Sequence, residues 1–222
     1  MTSKLRLSSI YVAFAYAVAL YAESAAQAAT ATFNDRTAWT NSLSSKPSTL
    51  TFDNFDSDGA SDLGAHHSEG GVNFAVAGGQ NAGTVFGVGT GLENVFKAGQ
   101  FYSSGYLEWQ SAEATNTLVI TLPNAVHAIG FDFAELRGLL DTFTIEIGSE
   151  TFTVDSSTAG ALFFGVIDPE TFTTIRITDL EADEQGVFPT IDNFSLVPEP
   201  ASLLPMTAGV AFIGLRGRRK SA

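Results

Sequence analysis

The stretch FTIEIGSETFTV, residues 143–154, sets Phe143, Ile145 and Ile147 at alternate positions, breaks at Gly148, and resumes the alternation at Phe152 and Val154. Successive side chains of an extended chain point to opposite faces, so a period of two marks strands that bury one face and wet the other. The pattern repeats outward in both directions. Val72, Phe74 and Val76 alternate, as do Leu118, Ile120 and Leu122, then Ile129, Phe131 and Phe133, and later Ile175 and Ile177. The apolar run at 161–167 reads as a buried strand, and residues 191–196 close the series. One short helix is expected near the start, capped by Asn34 and running to about Leu43, with Phe33, Ala38, Trp39 and Leu43 on one face and Lys46-Pro47 ending it. Closely spaced strands with Gly, Asp and Pro punctuation and no second long helical period predict an all-β fold. The expected architecture is an antiparallel β-sandwich of about ten strands, jelly-roll-like, with that one N-terminal helix.

Both ends read as processing segments. Lys4 and Arg6 precede an apolar stretch from Leu7 to about Leu20, and Ala26-Gln27-Ala28 supplies an A-x-A site. That order is the order of a secretory signal peptide, its apolar core shorter than the ~20 residues of a membrane span, so the mature chain is expected to begin near Ala29. At the other end, Val197-Pro198-Glu199-Pro200-Ala201-Ser202 leads into a mostly apolar segment up to Leu215, followed by Arg216, Arg218, Arg219 and Lys220. This three-part end resembles the PEP-CTERM sorting signal of exported proteins from Gram-negative bacteria. Pro205 interrupts the apolar segment, but in its first turn, where a helix tolerates proline. The segments AIGFDFAEL, FFGVID, TIRITDL and TIDNFSL are similar to the middle of many PEP-CTERM proteins. The resemblance implies transient anchoring in the inner membrane, processing near Pro198, Glu199 and Pro200 by an exosortase-type protease, and delivery to the cell surface or extracellular matrix. The chain then divides into a signal peptide (1–28), a β-sandwich (29–196) and a sorting signal (197–222).

Composition removes several functions. With no cysteine there is no disulfide framework, thiolate nucleophile or Cys-based metal site. Between Ala29 and Val197 five bases face 22 acids, a net of −17. Such a surface repels nucleic-acid phosphates and offers carboxylate oxygens to hard cations.

Candidate sites follow from that balance. Strict alternation places Asp192 on the face of Phe194 and Leu196, and a buried carboxylate calls for a partner. Asp53 shares a face with Phe55, and Asp56, Asp58 and Asp62 follow in a glycine-containing loop. Asp192, Asp53 and Asp56 or Asp58 are therefore a candidate calcium site of oxygen ligands; the plainer alternative is a turn-capping Asp192 beside a polar loop. Tyr102, Tyr106 and Trp109 cluster in FYSSGYLEWQ, either as a platform for sugar rings or as core. His66 and His67 are adjacent and point to opposite sides of an extended chain, so 66–69 is expected to be a solvated loop, and His127 falls on a strand. The glycine-rich 78–91 lacks both the dinucleotide and the phosphate-loop spacing and reads as an inter-strand loop, and the acid-rich 179–186 reads as a solvated turn. Neither G-x-S-x-G nor H-E-x-x-H occurs, which leaves paired carboxylates as the one catalytic device to consider. The expectation is a non-enzymatic, exported component of the exopolysaccharide or biofilm layer; the alternatives are a carbohydrate-binding module for a defined glycan and a two-carboxylate glycan hydrolase.

Overall fold

The computed structural model describes residues 29–55, 60–77, 84–89, 105–110, 116–135, 141–157, 160–180 and 189–198. In chain order these form β1 (Ala31–Phe33), α1 (Arg36–Ser42), β2 (Ser48–Leu50), β3 (Ala60–Asp62), β4 (His66–Glu69), β5 (Val72–Ala77), β6 (Thr84–Val88), β7 (Tyr106–Gln110), β8 (Asn116–Glu135), β9 (Thr142–Ile147), β10 (Glu150–Asp155), β11 (Leu162–Asp179) and β12 (Pro189–Pro198). All strand pairings among the described residues are antiparallel.

β8 and β11 make the sandwich. At 20 and 18 residues they are far longer than the usual 5–6, and they pair with each other in two stretches, from Leu162 opposite Phe133 to Ile167 opposite Ala128 and from Thr174 opposite Thr121 to Asp179 opposite Asn116. Their register slips on either side of Phe172, where residues 122–125 of β8, including Pro123, are left unpaired. Extra residues and a proline bend a strand, so each of the two turns a corner and serves two layers. One layer runs β10-β9-β11-β8-β5-β4 through residues 172–179 and 116–121. The other uses residues 162–167 and 126–135 and runs from β1 through β11 and β8 to β12, with β2 and β7 along the far edge of β12, then β6 and β3. Phenylalanines join the layers: Phe74 meets Phe194 edge-on at 5.7 Å, and Phe133 meets Phe143 at 5.7 Å.

Alternation identified most of this core. The inward triplets 72/74/76, 118/120/122, 129/131/133 and 143/145/147 are buried, as are Ile175 and Ile177. Residues 162–167 keep their reading as a buried strand: Phe164 and Val166 face the core, Phe163 and Ile167 pack on the other face against a small cluster around Trp39, and Leu162 at the strand's start is 38% exposed. Three expectations change. The chain at 118–122 and 129–133 is one bent strand, because alternation continues unbroken on both sides of the corner. The 66–69 segment is a strand, because Gly70 and Gly71, at φ 58° and 83°, turn it tightly onto β5. The glycine-rich stretch contains β6, with residues 78–83 outside the described set.

The helix begins one residue later than expected. Asp35, in extended conformation, caps it by accepting from the Ala38 N–H at 2.7 Å. Of the predicted face, Trp39 is fully buried and Phe33 and Leu43 pack beside it, while Ala38 is exposed. They form a small second core with Ala128 and Val197 on the outer face of the second layer.

Candidate functional site

The outer face of the second layer carries a polar node under α1. Ile191 and Phe194 both enter the main core although they stand three positions apart, an odd spacing that would put them on opposite faces of a regular strand. A bulge at Asn193, φ 49°, absorbs the extra residue, and the register slips between Asp192 and Ser195. Asp192 lies opposite Asp132 and Ser195 opposite Gly130, so both point away from the core phenylalanines. The expectation that Asp192 shares a face with Phe194 and Leu196 is therefore corrected: strict alternation does not survive a bulge. Asn193 ties the node together, its Nδ2 donating to Asp132 Oδ2 at 2.9 Å and Asp192 Oδ2 at 3.0 Å, its backbone N–H to Asp192 Oδ1. Arg36 reaches down from α1 to Asp132 at 3.0 Å, donates to the Asn193 carbonyl and to the Ser195 hydroxyl at 3.2 Å each, and lies 4.6 Å over the Phe163 ring.

This node fastens helix to sheet. Asn193→Ala is expected to cost about 2 kcal/mol, through the left-handed backbone and the lost bonds to two carboxylates, whereas Asn193→Gly, free of the backbone penalty, costs less. Chemical denaturation of the two variants checks the order; equal losses would show that the backbone conformation contributes nothing.

For calcium, both Asp192 oxygens already accept from Asn193, so a cation there competes with an amide. Asp53 is exposed in the turn that joins Phe52 to Phe55, not on a strand, and Asp56 and Asp58 lie outside the described residues. Among the described residues no group of three or more His, Asp or Glu side chains is arranged to hold a metal. His66 is exposed while His67 stacks on Phe74 and meets Glu69 at 3.4 Å, as opposite-facing neighbours should.

The aromatic cluster is placed inside. Trp109 is fully buried in the main core and Tyr106 is 1% exposed on β7, so neither offers a flat face to a sugar; Tyr102 lies outside the described residues. β7 is paired on its two edges by β6 and β12 in the second layer, and four successive residues, Tyr106 to Trp109, are buried, so both of its faces are covered. Between Tyr106 and Gln110 sits Glu108, 6% exposed, its carboxylate receiving Gln110 Nε2 at 2.7 Å. Burial pushes the Glu108 carboxyl up to about 7; the Gln110 bond opposes this and nearby Glu135 adds to it. Burial, and then the charge of Glu108, push the Tyr106 phenol up as well.

Aromatic rings line a groove elsewhere. On the flank where β10 ends the first layer and β1 ends the second, a groove of 770 Å³ opens, floored by Phe133 and Phe164 and sided by half-buried Phe33, Phe152 and Phe163. Thr32, Thr151, Thr153 and Asn34 place hydroxyls and an amide on its rim, and among the described residues Asp155 is the one charged side chain in its lining. Phe152 rests tilted on Phe164 at 5.5 Å, and Asp155 accepts from the Thr142 hydroxyl at 2.9 Å. Sequence reasoning assigned Phe133, Phe152, Phe163 and Phe164 to strands and Phe33 to the helix face, whereas Phe33 ends β1. The overlooked signal is that 152 and 154 belong to an edge strand, whose inward residues are covered from one side only.

No family model and no curated protein matches the chain. Among solved structures it is similar to a family 61 carbohydrate-binding module, TmCBM61, in complex with β-1,4-galactotriose (19% identity, 57% of this chain and 88% of that one, TM-score 0.31). It is also similar to the CBM22-1 xylan-binding domain of Paenibacillus barcinonensis Xyn10C (15%, 68% and 94%, TM-score 0.33). A third is a putative α-L-fucosidase of Bacteroides thetaiotaomicron (12%, 60% of this chain, TM-score 0.32), of which the match spans 28%.

Proposed function

We propose that this chain is an exported glycan-binding protein with a jelly-roll-like body, sorted to the cell surface or matrix through its PEP-CTERM-like end. The groove between β10 and β1 is the observation that carries the binding reading. The C–H faces of a sugar ring are slightly positive and stack on aromatic faces, and rim hydroxyls and amides bond to its hydroxyls. Glycoside cleavage takes two carboxylates, and among the described residues the lining holds one, Asp155, so the binding reading is preferred to the hydrolase. A net of −17 between residues 29 and 197 disfavours polyanions, so the occupant is a neutral segment of polysaccharide.

Affinity electrophoresis of the exported protein, in gels carrying the producing cell's exopolysaccharide or xylan, tests this. Retardation is expected in at least one gel. Phe152→Ala, and the exposed rim change Thr153→Arg, should each weaken it about tenfold or more, equivalent to roughly 1.4 kcal/mol. Because Phe152 also packs on the core, Thr153→Arg is the arm that separates binding from stability. Unchanged retardation in Thr153→Arg, or none for the parent, overturns the groove as a glycan site.

A further inference from the structure

The groove presents carbon on three sides. Phe152 of β10 stands on one wall, Phe33 of β1 and Phe163 of β11 stand on the other, and Phe133 and Phe164 form the floor. Each wall is held from behind by a different part of the protein. Phe152 rests on Phe164 of the main core, whereas Phe33 and Phe163 pack on the small core around Trp39, with Phe163 5.7 Å from the indole. Along β10 the half-buried Phe152 and Val154 alternate with the exposed Thr151, Thr153 and Asp155, so the polar groups stand beside the apolar wall and not on it.

We infer that the groove selects pyranose chains whose ring hydroxyls are all equatorial, the gluco and xylo configurations, and rejects chains that carry an axial hydroxyl. This rests on the glycan reading above and narrows its substrate class. In an all-equatorial pyranose the hydroxyls form a girdle around the ring plane and both faces carry only C–H. Such a ring fits between two phenylalanine walls with no polar atom against either, its girdle turned to the rim hydroxyls and Asp155. Asp155 Oδ1 accepts from the Thr142 hydroxyl, and a carboxylate keeps lone pairs enough for a neighbouring pair of equatorial hydroxyls. An axial hydroxyl instead stands out from one face. Against a phenylalanine it gives up water and gains no hydrogen bond. A single aromatic platform would tolerate it, because the ring could offer its other face; two facing walls leave no such choice. A pocket wall of carbon discriminates against one such hydroxyl by about 10- to 100-fold.

Calorimetric titration of the exported protein with cellohexaose, xylohexaose and mannohexaose decides it. The three share length and β-1,4 linkage, and the first and last differ only in the hydroxyl at C2, equatorial in one and axial in the other. Cellohexaose or xylohexaose is expected to bind at least about tenfold more tightly than mannohexaose. Phe33→Ser, which lowers one wall and gives an axial hydroxyl a partner, should narrow that ratio to roughly threefold or less, with a thermal melt to show that the variant is folded. Mannohexaose binding as tightly as the other two in the parent overturns the inference whatever the variant does, and so does an unchanged ratio in folded Phe33→Ser. Binding of none of the three, while the producing cell's exopolysaccharide still retards the protein, overturns the inference and leaves the glycan reading standing. No binding and no retardation overturn both.

Discussion

Trp39→Ala is expected to lower the unfolding free energy by about 3–5 kcal/mol and the melting temperature by roughly 6–20 °C. Trp39 carries most of the apolar contact between a seven-residue helix and the sheet. Its indole lies on a floor of two glycines placed directly opposite one another, Gly130 on β8 and Gly165 on β11. A methyl group at Gly165 would stand 2.7 Å from Trp39 Cδ1, and one at Gly130 3.3 Å from Cδ2, so the pair leaves room for a ring and for nothing more. Its Nε1 donates to the Val166 carbonyl at 3.3 Å, which anchors the ring over the strand. Truncation leaves a cavity that a seven-residue helix cannot close without releasing Arg36 from Asp132, and a helix this short has little stability of its own. Thermal unfolding of the variant checks the size of the loss. A change below 1 kcal/mol would show that α1 contributes little to holding the sheet.

How much of this was legible in the sequence depends on which rule each residue obeys. Phe74, Ile120, Phe131 and Ile145 obey strict alternation, and they are buried where that rule puts them. Trp39 was legible as a helix-face residue, and its cap was missed by one position because Asn34 and Asp35 are both good caps. Asp192 was misplaced because Asn193 adopts a left-handed backbone that inserts one residue into β12; the sequence shows the asparagine but not the bulge. The joining of 118–122 to 129–133 was invisible for a related reason, since a bend at Pro123 looks locally like a turn. Trp109 and Tyr106 illustrate a different limit. Aromatic residues suit a core and a sugar platform equally well, and only the neighbours of β7 decide between them. The groove was not legible at all, because it arises where β1 and β10, 116 residues or more apart, end their layers on the same flank.

Glu108→Gln is expected to flatten the dependence of stability on pH, leaving the protein little changed at pH 5 and more stable at pH 8. Glu108 is nearly enclosed on β7, opposite Thr190 of β12 and Phe86 of β6, and its carboxyl in the folded chain titrates at about 7 instead of 4.5. Removal from water is the leading cause, since it penalises the charged form, and the nearby Glu135 carboxylate repels it further. Between those two values the folded chain holds a proton that the unfolded chain has released, so stability falls as pH rises. The stabilisation is complete below about pH 4.5 and is lost as pH passes through about 7; at ~1.4 kcal/mol per pH unit this amounts to about 3 kcal/mol. Glutamine has the shape of the protonated acid and keeps a group for Gln110 to bond. The variant should therefore melt close to the parent at pH 5 and above it at pH 8, by roughly 6–12 °C at about 2–4 °C per kcal/mol. Thermal melts of both proteins at the two pH values read this directly. Parallel curves would show that the Glu108 carboxyl keeps its solvent-like ionisation inside the fold, and a uniform loss would show that its worth lies in hydrogen bonding rather than in its proton.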